Sequence, residues 1–428
     1  MAVFADGALF WLYSVVVFSQ FKPSEPFLVD FLVDVKGFTN HAVYQDMFPL
    51  FTYARFPLLF VTGVLSELDM AGQGVLFLGA LCGFATVLLT WFGTSLLPQQ
   101  IAQITVAANF ASRFAVNAVV FQLAPSDTVQ QHIHTMKAAL LLSNAGSAIL
   151  GEILRDQMKA SFWVLYLMSA IATGLAFLCS IFLLNSKLQT SAPRRSTHPA
   201  SDAFFDLVKI FKLPVVAWCT VWAMSVNPAH GVALTYWQNL LKDNFDVKDY
   251  NGYMLGASYL AAAGVVAVSR RSVLLRTSTA ALVILSLLAM GLTLMGLPLC
   301  HNEFVFYIML VATQCIFELS TTVFSFQVGN EVCKAVTDQD GPKETRLALL
   351  FCLTGVISGA VASLVQHVHP IAERFTFVAI ALLVLAGVLS AFSCVRHLYC
   401  HFLPRVHRPA HDPFLVPATD MMPVTRRG

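Results

Sequence analysis

The amino-acid sequence predicts an all-α membrane protein with twelve transmembrane helices arranged as two six-helix halves. Of its 428 residues, 57% are apolar and 12% are Asp, Glu, Lys or Arg, and the mean hydropathy is +0.70. Soluble domains are about 45–50% apolar and about one quarter charged, so the excess hydrocarbon must face lipid. The apolar residues also form continuous runs of roughly 20, the length that spans a bilayer as a helix, instead of alternating as in a β-barrel.

Six apolar runs precede a polar stretch and six follow it. The first six spans are predicted at Ala8–Phe21 (extended towards Leu32), Ala42–Leu65, Gly74–Ser95, Gln99–Leu123, Ile133–Leu154 and Ala160–Leu184. The last six are predicted at Val215–Gln238, Tyr250–Ser269, Thr277–Leu299, Glu303–Val328, Arg346–Val368 and Glu373–His397.

The polar stretch between the sixth and seventh spans predicts the domain organisation. Ser, Thr, Pro and the pair Arg194–Arg195 make it a solvated linker. We therefore expect an N-terminal six-helix bundle over 1–184, a cytoplasmic linker over 185–204, a C-terminal bundle over 205–398 and a cytoplasmic tail over 399–428. Two equal halves are typical of major-facilitator transporters. Lys and Arg concentrate in the loops on the side of both termini, which predicts that both ends are cytoplasmic.

Several functional classes have no support in the sequence. A formal net charge of +2 gives no reason to expect nucleic acid as a partner, and nine Cys residues without a CxxC pair indicate neither a disulfide scaffold nor a zinc module. No GxxxxGK[ST] or HExxH motif is present, so nothing indicates an ATP-driven pump or a metal-dependent hydrolase. We expect no enzymatic activity, no cofactor and no metal, and favour a secondary carrier that works in a lipid bilayer.

Charged residues at membrane depth are the candidates for function. Each costs about 2.5–3.5 kcal/mol on insertion scales and should face a partner or a wet cavity. Arg113 lies in the middle of the fourth span, with Asn109 and Asn117 one turn to either side on the same helix face. In the tenth span, Gln314, Glu318, Thr322 and Ser325 also share one face. The other two charged candidates at membrane depth are Glu25 and Arg55.

The fourth and tenth spans occupy equivalent places in the two halves, so their polar stripes are expected to face each other across a central cavity. The alternative is that Arg113 and Glu318 form a buried structural ion pair. Matched prolines favour the cavity, because Pro23–Pro26 and Asn227–His230 interrupt the first and seventh spans at similar depths. Phe51 and Tyr53 of the second span are possible stacking partners for a flat ligand.

Three segments together resemble the reduced folate carrier and thiamine transporter family. Lys22–Phe27 (KPSEPF) is similar to the Arg/Lys-Pro-x-Glu-x-Phe signature that follows the first span of that family. Ser112–Phe121 resembles its fourth-helix motif, and Tyr250–Gly252 matches the Tyr-Asn-Gly that opens its eighth helix. The region Phe326–Leu353 is a weaker match.

The resemblance implies a major-facilitator carrier for a water-soluble vitamin, expected in the plasma membrane. Folate carriers place Arg at the position of Arg113 and thiamine carriers place Glu, so the resemblance favours a folate-like organic anion. A guanidinium suits a carboxylate tail, whereas a thiazolium cation suits a carboxylate and aromatic faces. The family's other charged positions correspond to Gln103, Gln314 and Ala362, so a smaller or zwitterionic substrate also fits.

The predicted roles follow from these residues. Arg113 binds an anionic group, and Glu318 and Glu25 bind a cationic or hydrogen-bond-donating group or carry a coupling proton. Glu25 is equally well explained as a support for the broken first helix. Neutral hydrogen bonds and a stacking face are expected from Asn251, Gln103, Gln314 and Phe51. Counter-anion exchange or proton coupling supplies the driving force. The alternatives are a thiamine carrier of the same family and a non-transporting membrane receptor.

Overall fold

The structure is a computed structural model that describes residues 7–39, 41–67, 71–125, 128–186, 209–245, 251–269, 278–336, 350–351, 353–360 and 371–402. Within these residues the chain is almost entirely helical and contains no strand. The predicted linker over 185–204 and the tail over 399–428 lie largely outside the described residues. Fold class is therefore confirmed as all-α, while the predicted domain boundaries remain predictions.

The long helices follow the order of the predicted spans, and we number them accordingly. In the first half they are α1 (Gly7–Gln20), α2 (Ala42–Met47 and Phe48–Glu67), α3 (Ala71–Phe92), α4 (Leu96–Leu123), α5 (Val129–Gln157) and α6 (Phe162–Asn185). In the second half they are α7 (Pro214–Asn244), α8 (Asn251–Ser269), α9 (Thr279–Leu299), α10 (Glu303–Val336), α11 (helical residues 350–351 and 353–360) and α12 (Ile371–Phe402).

Nine helices in the described part of the chain are long and apolar enough to cross a membrane. α1, α7 and α11 are not among them: α1 has only 14 residues, and most of α11 lies outside the described ranges. Many large apolar side chains on the spanning helices are exposed, as expected for helices that face hydrocarbon. Buried apolar side chains form separate clusters, one mainly from α1, α3, α4 and α5 and a larger one mainly from α7, α9, α10 and α12.

The predicted interruption of the first span is confirmed. α1 ends at Gln20, and the chain resumes helical geometry as a 3₁₀ turn at Glu25–Phe27 that leads into short α- and π-helical segments ending at Val35. Ser24 in the interruption is anchored to α6, because its backbone N–H and its hydroxyl both lie within hydrogen-bond distance of Ser169 Oγ (3.2 and 2.9 Å). A side chain of a neighbouring helix thus satisfies backbone that the break leaves unpaired.

The predicted interruption of the seventh span is wrong. α7 is a continuous helix of 31 residues, and Pro228 lies inside it. Proline removes one hydrogen bond to the carbonyl four residues earlier. Around it, Val226, Ala229 and Ala233 are buried in the large apolar cluster of the second half, so packing holds the helix together across the missing bond.

The two halves touch most closely where α5 meets α8. Gly252 and Gly256 lie on the face of α8 that contacts α5, and a Cβ at Gly252 would lie 2.7 Å from the carbonyl oxygen of Ala148. The backbone N–H of Gly252 also donates a hydrogen bond of 2.8 Å to Glu152 Oε2, which is buried. A carboxylate of the first half therefore caps the N-terminus of a helix of the second half, where the helix dipole favours negative charge.

This close approach predicts that a methyl group at position 252 lowers stability. Gly252→Ala forces the backbones of α5 and α8 apart, at a cost of about 1–3 kcal/mol, typical of overpacking. The apparent melting temperature of the detergent-purified protein is expected to fall by several degrees. Gly264→Ala on the same helix is the control, because a Cβ there meets nothing within 4 Å. Equal melting temperatures for the two variants would contradict the proposed packing.

Candidate functional site

Charged and polar side chains from seven helical segments converge in the interior of the bundle. We call this group the central cluster; its members are Lys22, Glu25, Arg55, Arg113, Lys137, His230, Tyr259, Gln314 and Glu318. Their ionisable groups act on one another across the two halves: Tyr259 of α8 interacts electrostatically with Glu25, Arg113 and Glu318. His230 of α7 interacts with Glu318, Lys137 and Arg55. Tyr259 and His230 thus interact with charges of both halves, while the cavity between the polar stripes of α4 and α10 remains a prediction.

Arg113 lies at a local irregularity of α4. Regular α-helix ends at Ser112 and resumes at Phe114, and the backbone N–H of Arg113 donates to Phe110 three residues earlier (3.3 Å). Asn109 orients the side chain, since its Oδ1 accepts a hydrogen bond from Arg113 Nη2 (3.1 Å) while its Nδ2 donates to Gly79 O of α3 (2.7 Å). Asn109, a member of the predicted polar stripe, therefore holds the guanidinium group of Arg113 in position.

Arg55 of α2 shares an aromatic partner with Arg113. The guanidinium carbon of Arg55 lies 4.2 Å from the centroid of the Phe110 ring and that of Arg113 lies 5.0 Å from it. Phe51 packs edge-on against the same ring at 5.9 Å. In the described part of the chain neither arginine has a carboxylate within ion-pair distance, and the Nε atoms of both are buried without a hydrogen-bond partner.

Glu318 is paired with Lys137 of α5 and not with Arg113. The distance between Lys137 Nζ and Glu318 Oε2 is 2.5 Å, and Glu318 is buried. This ion pair joins the two halves of the protein, and its carboxylate also accepts a hydrogen bond from Gln314 Nε2 (3.1 Å). The structural ion pair considered as an alternative for Glu318 therefore exists, but its cation comes from α5.

A fourth residue, His230, extends this network into α7. Gln314 Oε1 lies 2.8 Å from His230 Nε2. An amide oxygen can only accept, so His230 Nε2 carries the proton in this arrangement. The imidazole ring stacks on Phe317 with centroids 3.5 Å apart and planes 5° from parallel. Helices α5, α10 and α7 are thus connected by one chain of polar contacts from Lys137 to His230.

Glu25 lies in the interruption that follows α1. Its side chain is 57% exposed, and it pairs with Lys22 at 2.6 Å. It also interacts electrostatically with Arg113. An exposed carboxylate near the first span is therefore coupled to a guanidinium group of the fourth span.

The other predicted site residues are distributed differently. Gln314 is in the central cluster. Phe51 contacts the cluster indirectly, because it packs against the Phe110 ring on which Arg55 and Arg113 lie. Gln103 is buried in α4, ten residues from Arg113 and therefore about 15 Å along the helix. Asn251 begins α8, and its side chain lies outside those that the structure describes. Tyr53 is half exposed on α2.

Lys137 and Tyr259 were not predicted from the sequence, and Lys22 and His230 were singled out only as parts of the KPSEPF motif and of the Asn227–His230 segment. Lys137 lies four residues inside the predicted fifth span, where a lysine can be explained by its proximity to the membrane interface. The sequence feature that could have identified Lys137 is its charge within an otherwise apolar run. Tyr259 gave no signal, because an isolated tyrosine in an apolar helix is unremarkable as a core residue.

Charges of the central cluster do not balance. Lys22, Arg55, Arg113 and Lys137 supply four positive charges, whereas Glu25 and Glu318 supply two negative charges. Both carboxylates are engaged by lysines, so the two positive charges left over belong to Arg55 and Arg113. This arrangement can bind an anion.

Solved structures with the same fold are membrane transporters. The chain is similar to the Escherichia coli fucose:proton symporter, with a TM-score of 0.61 and 12% identity over 90% of this chain and 98% of that one. It is also similar to a human organic anion transporter, with a TM-score of 0.64 and 14% identity over 89% of this chain and 97% of that one. The chain therefore shares the all-helical, major-facilitator-like fold of these two proteins.

Sequence relatives narrow this class. The profile described as reduced folate carrier matches residues 8–202. A folate-like transporter of Dictyostelium discoideum is 24% identical over 81% of this chain, and the chain spans 58% of its length. The reduced folate transporter of Rattus norvegicus is 24% identical over 76% of this chain and 70% of its own length. Human thiamine transporter 2 is 26% identical over 40% of this chain and 36% of its own length. The chain is therefore similar to reduced folate carriers over its first half and to folate and thiamine transporters in sequence.

The pair formed by Lys137 and Glu318 predicts a compensating effect. Glu318→Ala leaves a buried ammonium group without its partner, which costs about 3–5 kcal/mol. The yield of monodisperse protein in detergent is expected to fall sharply and to recover when Lys137→Met is added. Glu303→Ala, at the exposed start of α10, is the control and should leave the yield unchanged. A double variant no better than Glu318→Ala would contradict the pairing.

Proposed function

We propose that this protein is a secondary active transporter of a water-soluble vitamin and that its preferred substrate is a folate-like organic anion. The observation that carries the proposal is the pair of arginines in the central cluster that no carboxylate of the described residues neutralises. Unneutralised charge in a membrane protein is costly and is found where a ligand or ion path needs it. The match of the first half to the reduced folate carrier profile and the names of the relatives support the same substrate class.

Arg113 is the proposed anion-binding residue. Its guanidinium group is planar and suits bidentate recognition of a carboxylate. Asn109 holds one of its nitrogens and leaves others available to a substrate. Phe51 and Phe110 provide aromatic faces or edges for a flat ring, while Gln103 and Asn251 remain proposed donors of neutral hydrogen bonds.

Glu318 and Glu25 are proposed to act mainly in coupling transport to the driving ion and less in binding the substrate. Glu318 lies between Lys137 and Gln314, and Gln314 leads to His230. A proton or a counter-anion that weakens the bond between Lys137 and Glu318 would loosen a contact between the two halves. Glu25, paired with Lys22 in the interruption after α1, either participates in the same step or supports the broken helix.

Transport is proposed to proceed by alternating access, with the substrate near the midplane between bundles over 1–184 and 205–398. In this scheme residues 185–204 form the linker, residues 399–428 the tail, and both termini are cytoplasmic in the plasma membrane. The contact between Glu152 of α5 and Gly252 of α8 joins the two halves, and in this scheme it closes one end of the bundle. That contact must break when this end opens.

A thiamine carrier is the second candidate, supported by the similarity to human thiamine transporter 2 over part of the chain. Recognition of a cation requires a free carboxylate and aromatic faces. Both carboxylates of the central cluster are already paired with lysines, so the electrostatics favour an anion.

The first functional prediction concerns Arg113. Arg113→Ala and Arg113→Glu are expected to lose folate uptake, by about 100-fold or more, since a buried charged hydrogen bond is worth about 2–5 kcal/mol. The measurement is initial uptake of labelled folate in a host without its own carriers, normalised to protein in the membrane. Arg155→Gln is a matched control, because Arg155 also lies over an aromatic ring, that of Phe162, but at the C-terminal end of α5 and outside the central cluster. Folate uptake at the parental rate in both Arg113 variants would overturn the assignment.

The second prediction separates the three functional candidates. The parent protein should show saturable uptake of labelled folate and none of labelled thiamine or pyridoxine. Thiamine uptake that survives Arg113→Glu but is lost in Glu25→Gln and Glu318→Gln would establish the cation carrier instead. No saturable uptake of any of the three vitamins, with delivery to the membrane verified, would establish a non-transporting receptor.

A further inference from the structure

Arg55 belongs to α2, and its Nε atom is buried although several large apolar side chains of that helix are exposed. It interacts electrostatically with Arg113 of α4 and with His230 of α7. These two partners belong to different halves of the protein, and the guanidinium group of Arg55 itself lies over the Phe110 ring of α4. Neighbouring Phe56 and Phe60 are exposed, and Arg55 is therefore on the inward face of its helix.

Phe110 stabilises both guanidinium groups without neutralising them. A cation over an aromatic face gains about 0.5–2 kcal/mol from the ring quadrupole. The contact uses no N–H donor, so the hydrogen-bonding edges of the two arginines stay available. A carboxylate partner, by contrast, would occupy those edges and cancel the charge.

Two like charges held on one ring repel each other, so a local compensation is expected. The two carboxylates of the central cluster, Glu25 and Glu318, both have lysine partners. The Nε atoms of Arg55 and Arg113 are buried without a hydrogen-bond partner, which is costly unless an acceptor is provided. The arrangement favours a ligand that brings negative charge to both groups.

We propose that Arg55 is a second anion-binding residue, which with Arg113 and the intervening Phe110 forms a two-guanidinium site for a ligand that carries two carboxylates beside a flat ring. The proposal rests on the anion carrier described above and specifies its substrate as a dianion. Arg55 then determines specificity, because a ligand with one carboxylate leaves one guanidinium group unsatisfied.

The test compares two probes that differ in one charge, N-benzoylglutamate and its γ-amide N-benzoylglutamine. Binding is measured as ligand-induced thermal stabilisation of the full-length protein in detergent, so transport is not required. The parent protein should bind the dianion about tenfold or more tightly than the monoanion. In Arg55→Gln this preference should disappear, so that the two probes bind about equally. In Arg55→Lys the preference should be intermediate, because a lysine keeps the charge but not the planar guanidinium group.

Arg155→Gln is the control and should keep the parental preference. Equal binding of the two probes by the parent protein, no binding of either, or a parental preference retained in both Arg55 variants would each overturn the proposal. If Arg55→Gln does not fold, Arg55→Lys decides between the outcomes.

The two proposals fail differently. Absence of folate uptake by the parent protein overturns the carrier of folate-like anions even if the probes still distinguish Arg55. Loss of folate uptake in Arg113→Ala together with unchanged probe preference in Arg55→Gln overturns the role of Arg55 alone.

Discussion

Positive charge that is held inside a membrane bundle without an ionic partner is the constraint on which the site depends. Arg55 and Arg113 are tolerated there because Phe110 offers a π face to both of them. The other features of α4 serve this arrangement: the helix loses its regular ladder at Arg113, Asn109 fixes one nitrogen, and Gly79 accepts from Asn109 where α3 approaches closely. Loss of the aromatic ring would expose two like charges to each other.

Carboxylates of the site have a different physical task. Each is held by a lysine, Glu25 in the exposed interruption after α1 and Glu318 in a buried contact between the two halves. The buried pair gains from low dielectric but loses hydration, and the hydrogen bond from Gln314 offsets part of that loss. Because its two charges already satisfy each other, such a pair is a poor binding site for a charged substrate. Because it joins α5 with α10, its rupture would allow the two halves to separate.

Periodicity and composition were enough to predict the fold class, the order of the spans and the faces of α4 and α10. They placed Arg113 beside Asn109 correctly, because residues four apart on a helix are neighbours whatever surrounds them. They could not give the partner of Glu318, since a helix face says nothing about which helix lies opposite. The continuity of α7 through Pro228 and the role of Lys137 also depended on packing between helices, which no local pattern contains.

The hydrogen bond between Glu152 and Gly252 joins a side chain to a main chain, and the two ends respond differently to substitution. Every amino acid except proline carries the peptide N–H that position 252 donates, so a new side chain there cannot delete the donor. Space limits that position instead, because a Cβ would meet Ala148. Sequence drift at 252 is therefore restricted by volume, whereas drift at 152 is restricted by the need for a hydrogen-bond acceptor.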